Sequence, residues 1–122
     1  MKENDELKEN LVSLGLFKNV ESVKSHDLLK YKLWNEQQNR CAYSLETIKI
    51  EDLFDNNIVQ VDHILPYSRT FDDSYYNKTL VLTKYNQDKG NKTPYEWLGK
   101  TDKWNDFKFF LVIHHSLWKR GF

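Results

Sequence analysis

The sequence contains a single cysteine, Cys41, which excludes an internal disulfide and a four-thiolate zinc site. One lone thiol fits a reducing compartment. Only two prolines and four glycines punctuate the 122 residues, so collagen-like, linker-rich and low-complexity architectures are excluded. No run approaches the ~20 consecutive apolar residues of a spanning helix, and no charged-then-apolar leader opens the chain, so the expectation is a protein neither spanning a membrane nor exported. Net charge is missing as well, because 18 basic residues meet 18 acidic ones, whereas phosphate binding normally leaves a basic footprint. The balance is uneven along the chain: residues 1–60 hold 8 basic and 11 acidic residues, net −3, and residues 61–122 hold 10 and 7, net +3.

What is present suffices for one core. Hydrophobic residues make up 39% and aromatics 15%, enough for a single globular domain but too short a chain for a second. Leu7, Leu11 and Leu14 recur at helical spacing and predict a short helix stopped at Gly15. Ser25 can cap a second helix carrying Leu29, Tyr31, Leu33 and Trp34 and running to about Asn39. Arg40 to Ser44 reads as a short extended piece, followed by an apolar turn around Ile50 to Phe54.

From Ile58 the pattern becomes β-branched, through Val59, Val61 and Ile64, and Pro66 ends the run because it cannot donate to a ladder. Residues 66–78 read as a compact loop, Thr79 to Thr83 as a second strand, and Thr83 as the cap of a short helix whose third residue is Asn86 and whose stop is Gly90. Thr93-Pro94 opens further helix, resuming near Asp102, with Trp104, Phe107, Leu111, His114 and Trp118 on one core-facing stripe and His115 outside it. The predicted class is α+β.

Chemistry-bearing residues gather at the ends of this strand–loop–strand–helix unit: Asp62 and His63, Asn77, and Asn86. Hydrolysis of a phosphodiester needs a base, positive charge on the phosphate and help for the leaving oxygen. Imidazole supplies the base near neutrality, while Asp62 and the amide oxygen of Asn86 are hard ligands suited to Mg²⁺ or Mn²⁺. A single carboxylate leaves such a site net positive, so an anionic phosphate can enter. One tension remains, since neighbouring strand residues point to opposite faces, so Asp62 and His63 can share a phosphate only if the strand breaks there.

Arg69, Lys78, Lys84, Lys89 and Lys92 are candidate phosphate contacts, with Lys89, one turn beyond Asn86, preferred. The same residues also suit plain structural roles. Asp62 can cap a turn, His63 can be a satisfied half-buried histidine, Asn77 can brace the loop, and Asp72-Asp73 read better as turn caps than as metal ligands. Ser44 stands where a zinc knuckle would need a second cysteine.

Three segments make a resemblance recognisable: Val61 to Ser74, reading Val-Asp-His-Ile-Leu-Pro-Tyr-Ser-Arg-Thr-Phe-Asp-Asp-Ser; Asn77-Lys78-Thr79-Leu80-Val81-Leu82; and Asn86 to Glu96, reading Asn-Gln-Asp-Lys-Gly-Asn-Lys-Thr-Pro-Tyr-Glu. Together they closely resemble the HNH nuclease domain of type II CRISPR RNA-guided DNA endonucleases, over roughly Lys24 to Trp97. The resemblance implies a ββα-metal core at 58–92, flanked by an N-terminal connector at 1–23 and C-terminal helices at 93–122, the whole excised from a larger protein. It implies His63 as general base, Asp62 and Asn86 as ligands of one Mg²⁺ that Mn²⁺ can replace, Asn77 as the loop-organising asparagine, and no structural zinc.

Its implied substrate is the DNA strand paired with guide RNA, and its implied partners are a RuvC-like nuclease and other domains of the parent protein. Monomeric work in the bacterial cytoplasm, in antiviral defence, follows from the same likeness. A stand-alone homing or restriction-type HNH endonuclease, or a non-catalytic nucleic-acid-binding module, are the alternatives.

Overall fold

The computed structural model describes residues 2–114. Its elements in order are α1 (Lys2–Ser13), a 3-10 turn (Val20–Ser22), α2 (Ser25–Glu36), α3 (Ile50–Leu53), β1 (Val59–His63), α4 (Tyr67–Thr70), a 3-10 turn (Tyr75–Asn77), β2 (Lys78–Leu82), α5 (Thr83–Lys89), α6 (Pro94–Leu98) and α7 (Lys103–His114). The two strands pair antiparallel from Val59↔Leu82 to His63↔Lys78. The protein is therefore α+β, with α5 packed on both strands and α2 against β2. Among the described residues no helix is long and apolar enough to cross a membrane.

The core runs from Leu11 through Leu33 and Ile48 to Leu80, Phe107 and Leu111. Trp104, Phe107 and Leu111 share the inner face of α7, while the predicted continuation through the His114 side chain and Trp118, with His115 beside it, lies outside the described residues. Two polar side chains set the distance between α2 and the hairpin. Lys30, with 0% exposure, donates its ammonium protons to the carbonyls of Leu53 and Val59 and to Asn56 Oδ1, at 2.7–2.9 Å. Gln37 offers an amide that behaves like a one-residue extra strand. Its Oε1 accepts from the Leu80 N–H, and its Nε2 donates to the Leu80 carbonyl, so the free edge of β2 is satisfied in the protein interior.

Several boundaries differ from those predicted. α2 ends at Glu36 because Gln38 and Asn39 turn into the left-handed region, φ +56° and +65°. Ser25 is the first residue of that helix, and Asp27 caps it by accepting from the Lys24 N–H at 3.0 Å. Leu14 lies beyond α1 and is 57% exposed. Only Arg40 makes an isolated bridge, to Thr47, and the segment after it turns instead of extending, so that the Cys41 N–H reaches the Glu46 carbonyl. Leu82 precedes α5, which makes Asn86 its fourth residue and denies Thr83 the capping role.

Replacing Lys30 by Met keeps the buried stem but strands three oxygens. Loss of about 3 kcal/mol of unfolding free energy is expected in a urea titration, with the denaturant slope unchanged.

Candidate active site

Asp62 is the penultimate residue of β1, and its side chain leaves the strand towards α5. Its Oδ2 accepts two hydrogen bonds, one from the Tyr43 phenol at 2.6 Å and one from the Lys89 ammonium at 3.0 Å. Tyr43 is packed edge-on against Trp97 of α6, ring centroids 5.1 Å apart, and against Phe107 of α7 at 5.5 Å. Burial above all, then the adjacent Asp62 charge, pushes its phenol well above the usual value, so Tyr43 stays protonated and donates.

Lys89 is not the surface phosphate contact the sequence suggested. It is 1% exposed, holds Asp62 and donates also to the His63 carbonyl at 3.1 Å. Helical spacing puts it one turn beyond Asn86, but its four-carbon stem carries the charge inward, over the Tyr43 ring at 5.7 Å.

Asn86 faces the other oxygen of Asp62. One end of its amide lies 2.9 Å from Oδ1 and 3.2 Å from Oδ2, and the other end lies 2.8 Å from Gln60 Oε1. With nitrogen turned to Asp62, the amide donates to the carboxylate. With oxygen there, two acceptors oppose each other, and a cation between them makes that favourable. Neighbouring ligands of an octahedral Mg²⁺, at about 2.0–2.1 Å from the ion, stand ~2.9 Å from each other. The donor chemistry and spacing fit such an ion. Among the described residues no group of three or more His, Cys, Asp or Glu is placed to hold a metal, so the donor set here is one carboxylate and one amide.

His63 ends β1 and turns the other way. The strand does not break between Asp62 and His63, as the sequence reading had required for a shared phosphate, because His63 is still paired with Lys78, and the Ile64 N–H still reaches the Asn77 carbonyl at 2.8 Å. The two side chains leave opposite faces, so a phosphate reaches both only by lying across the strand end. The departure comes one residue later. Asn77, with 0% exposure, accepts from the Leu65 N–H and donates to the carbonyls of Leu65 and Asp72, at 2.8–2.9 Å.

The His63 Nε2 sits 2.7 Å from Asp73 Oδ1, and Lys78 Nζ lies 3.3 Å from the same oxygen. Hydrogen bonds from His63 first, then from Lys78, hold the Asp73 carboxyl below its ordinary range. An ionised Asp73 requires the proton on Nε2, which leaves the lone pair on Nδ1. Of the remaining candidates, Arg69 is paired with Glu96 at the start of α6, Lys84 lies 3.7 Å from Glu46, and Lys92 is exposed.

Tyr43 and Gln60 carry no mark of these roles in the sequence. For Asp73 a faint one exists: Asp72 already caps the turn through the Ser74 N–H at 2.9 Å, which leaves its neighbour available for another partner.

A two-stranded antiparallel hairpin followed by a short helix, with Asp-His at the first strand's end and Asn on the helix, defines a ββα nuclease core. The HNH endonuclease family profile matches residues 41–95. The CRISPR-associated endonuclease Cas9 of Campylobacter jejuni is 54% identical over 83 residues, which is 67% of this chain and 8% of that protein. Cas9 1 of Streptococcus thermophilus is 53% identical over 74 residues, 60% of this chain and 7% of that protein. A crystal structure of S. thermophilus Cas9 in complex with the AGAA PAM superposes with a TM-score of 0.64 at 44% identity, over 74% of this chain and 9% of that one. The chain contains an HNH endonuclease match and is homologous to the HNH regions of the Cas9 endonucleases. It spans less than a tenth of the length of these relatives.

The His63–Asp73 contact sets a pH dependence. Because the folded Asp73 carboxyl lies below its ordinary range, the contact is complete at neutral pH and is lost only as the pH falls through the lowered folded value. Carboxyl ¹³C titration should place its midpoint below that of an ordinary aspartate, and the variant His63→Ala should move that midpoint upward.

Proposed function

We propose that this domain hydrolyses the DNA strand paired with guide RNA, in a metal-dependent reaction, as one part of a larger bacterial CRISPR-defence protein. HNH nucleases are metal-dependent in general, and the reading rests on one observation above others: the Asp62 carboxylate and the Asn86 amide face each other across 2.9 Å at the end of the strand that carries His63.

The scissile phosphodiester lies across that strand end, with Asp62 and Asn86 on one side and His63 on the other. His63 Nδ1 takes a proton from water as the water oxygen bonds to phosphorus, and the bond from phosphorus to the 3′ oxygen breaks, that oxygen taking a proton from solvent, to leave a 3′-hydroxyl and a 5′-phosphate. Asp73 keeps the opposite ring nitrogen protonated and so holds the acceptor on Nδ1. Asp62 and Asn86 would hold Mg²⁺, which when bound would supply positive charge to the reacting phosphate. Asn77 keeps the loop closed behind His63.

Strand choice belongs to base pairing with the guide, and most of the electrostatic grip belongs to the parent protein, including a RuvC-like nuclease. A domain with 18 basic and 18 acidic residues needs only a local site for one phosphate.

The variant His63→Ala in the full-length protein tests this. Cutting of the guide-paired strand should fall by at least ~10²-fold, with binding and the cut of the other strand retained. Undiminished cleavage of the paired strand rejects His63 as base. Guide-independent cutting of duplex DNA by the 122-residue chain with Mg²⁺ would instead mark a stand-alone endonuclease, and DNA affinity without turnover a binding module.

A further inference from the structure

Lys89 is the least expected feature of the site. It is a full positive charge, 1% exposed, placed 3.0 Å from the one carboxylate that faces Asn86. A second bond to the His63 carbonyl at 3.1 Å fixes it from another direction, and the Tyr43 ring lies 5.7 Å away. Removal to solvent breaks both hydrogen bonds and uncovers a buried stem. A cation arriving at Asp62 Oδ1 therefore meets a carboxylate whose charge is already compensated.

We infer that Lys89 is a resident counter-ion that holds down the divalent-cation affinity of the Asp62–Asn86 pair, so that tight cation binding waits for the negative charge of a bound phosphodiester. The inference rests on the reading of Asp62 and Asn86 as the metal ligands. Its physical basis is charge counting. Without Lys89 the pair offers a divalent ion one net negative charge, and with it none. Repulsion between an ammonium and a divalent ion on opposite oxygens of one carboxylate, in a partly dry site, amounts to well over a factor of ten in affinity. A phosphate restores the missing charge, and by linkage cation and phosphodiester then strengthen each other's binding equally. Lys89 acts here through Asp62 and is a positioning residue.

Mn²⁺ binding to the chain, measured by the electron paramagnetic resonance of the free ion without nucleic acid, tests the idea. The neutral variants Lys89→Gln, which keeps a donor for Asp62, and Lys89→Met should each bind Mn²⁺ at least ten times more tightly than the wild type, with circular dichroism confirming the fold. Equal or weaker affinity in a folded neutral variant overturns the inference.

Introducing Asp62→Asn alongside Lys89→Gln should abolish the gain. If Mn²⁺ binds equally well without the carboxylate, the metal-site reading itself fails and the inference with it. A measurement on the wild type needs no variant. An excess of short single-stranded DNA should raise its Mn²⁺ affinity at least tenfold, and unchanged affinity with DNA bound also overturns the proposal.

Discussion

A carboxylate held by one oxygen and offered by the other is the constraint on which the rest of this site depends. Asp62 Oδ2 is taken by Tyr43 and Lys89, and that grip turns Oδ1 towards Asn86. Each holder is itself held. Tyr43 sits in a turn outside the hairpin and keeps its place through Trp97 and Phe107, which brings α6 and α7 into the geometry of a residue on β1. Lys89 closes α5, the helix that also carries Asn86, so the charge and the amide move as one body against the strand. An exposed aspartate on a two-stranded hairpin would sample several rotamers, and ordering it at the moment of binding would cost free energy. Here that ordering is complete on folding.

His63 is fixed by a different set of bonds, belonging to the loop. Asn77 substitutes its amide for the strand pairing that ends at Ile64, and Phe71 turns the chain at φ +55°, a left-handed position that costs a non-glycine residue free energy and needs surrounding contacts to persist. Those contacts are visible. The Phe71 N–H closes α4 on the Tyr67 carbonyl at 2.8 Å, Arg69 pairs with Glu96, and Ser68 reaches Asn91 at 3.0 Å. Glu96 in turn accepts from the Thr93 N–H in the reciprocal cap of α6. The imidazole's position is thus referred back to α6 by way of the loop, and the carboxylate's by way of Tyr43, so one short helix registers both halves of the site.

The hairpin and its helix were legible because their marks are local. A β-branched run stopped by Pro66, a second run read as Thr79 to Thr83 and found one residue earlier at Lys78–Leu82, and Gly90 at φ +56° punctuate the chain near where the elements begin and end. Asp62 and Asn86 were singled out from the sequence as polar residues of that same unit, although Asp62 equally suited a turn cap, and the structure places them face to face. What the sequence hid depends on length and reach. A buried lysine and a solvated one are the same letter, and only the packed α5–β1 distance decides that Lys89 reaches inward. Tyr43 meets Asp62 across 19 residues of chain, with nothing in its neighbourhood to distinguish it from the other core aromatics. The end of α2 was missed because Gln37 bonds to Leu80, far along the chain, and thereby leaves Gln38 and Asn39 to turn.

Charge carries the same logic from the site to the whole chain. Asp62 is matched by Lys89, and Asp73 stands between His63 and Lys78, so the carboxylates that shape the site are each compensated within it. A phosphate approaching the strand end meets Asp62 and Asp73 already paired with cationic or imidazole partners, while Asp72, also near His63, is tied to the Ser74 N–H. Sites built from three or four acids hold metal strongly but must overcome repulsion of the phosphate. In the proposed reading this one reverses the order, giving up resting metal affinity for access by the anion, with local pairs in a chain whose overall charge is zero. Neutrality then describes a domain whose electrostatic work is confined to a few ångströms, and in the proposed reading long-range attraction of nucleic acid is left to the parent protein around it.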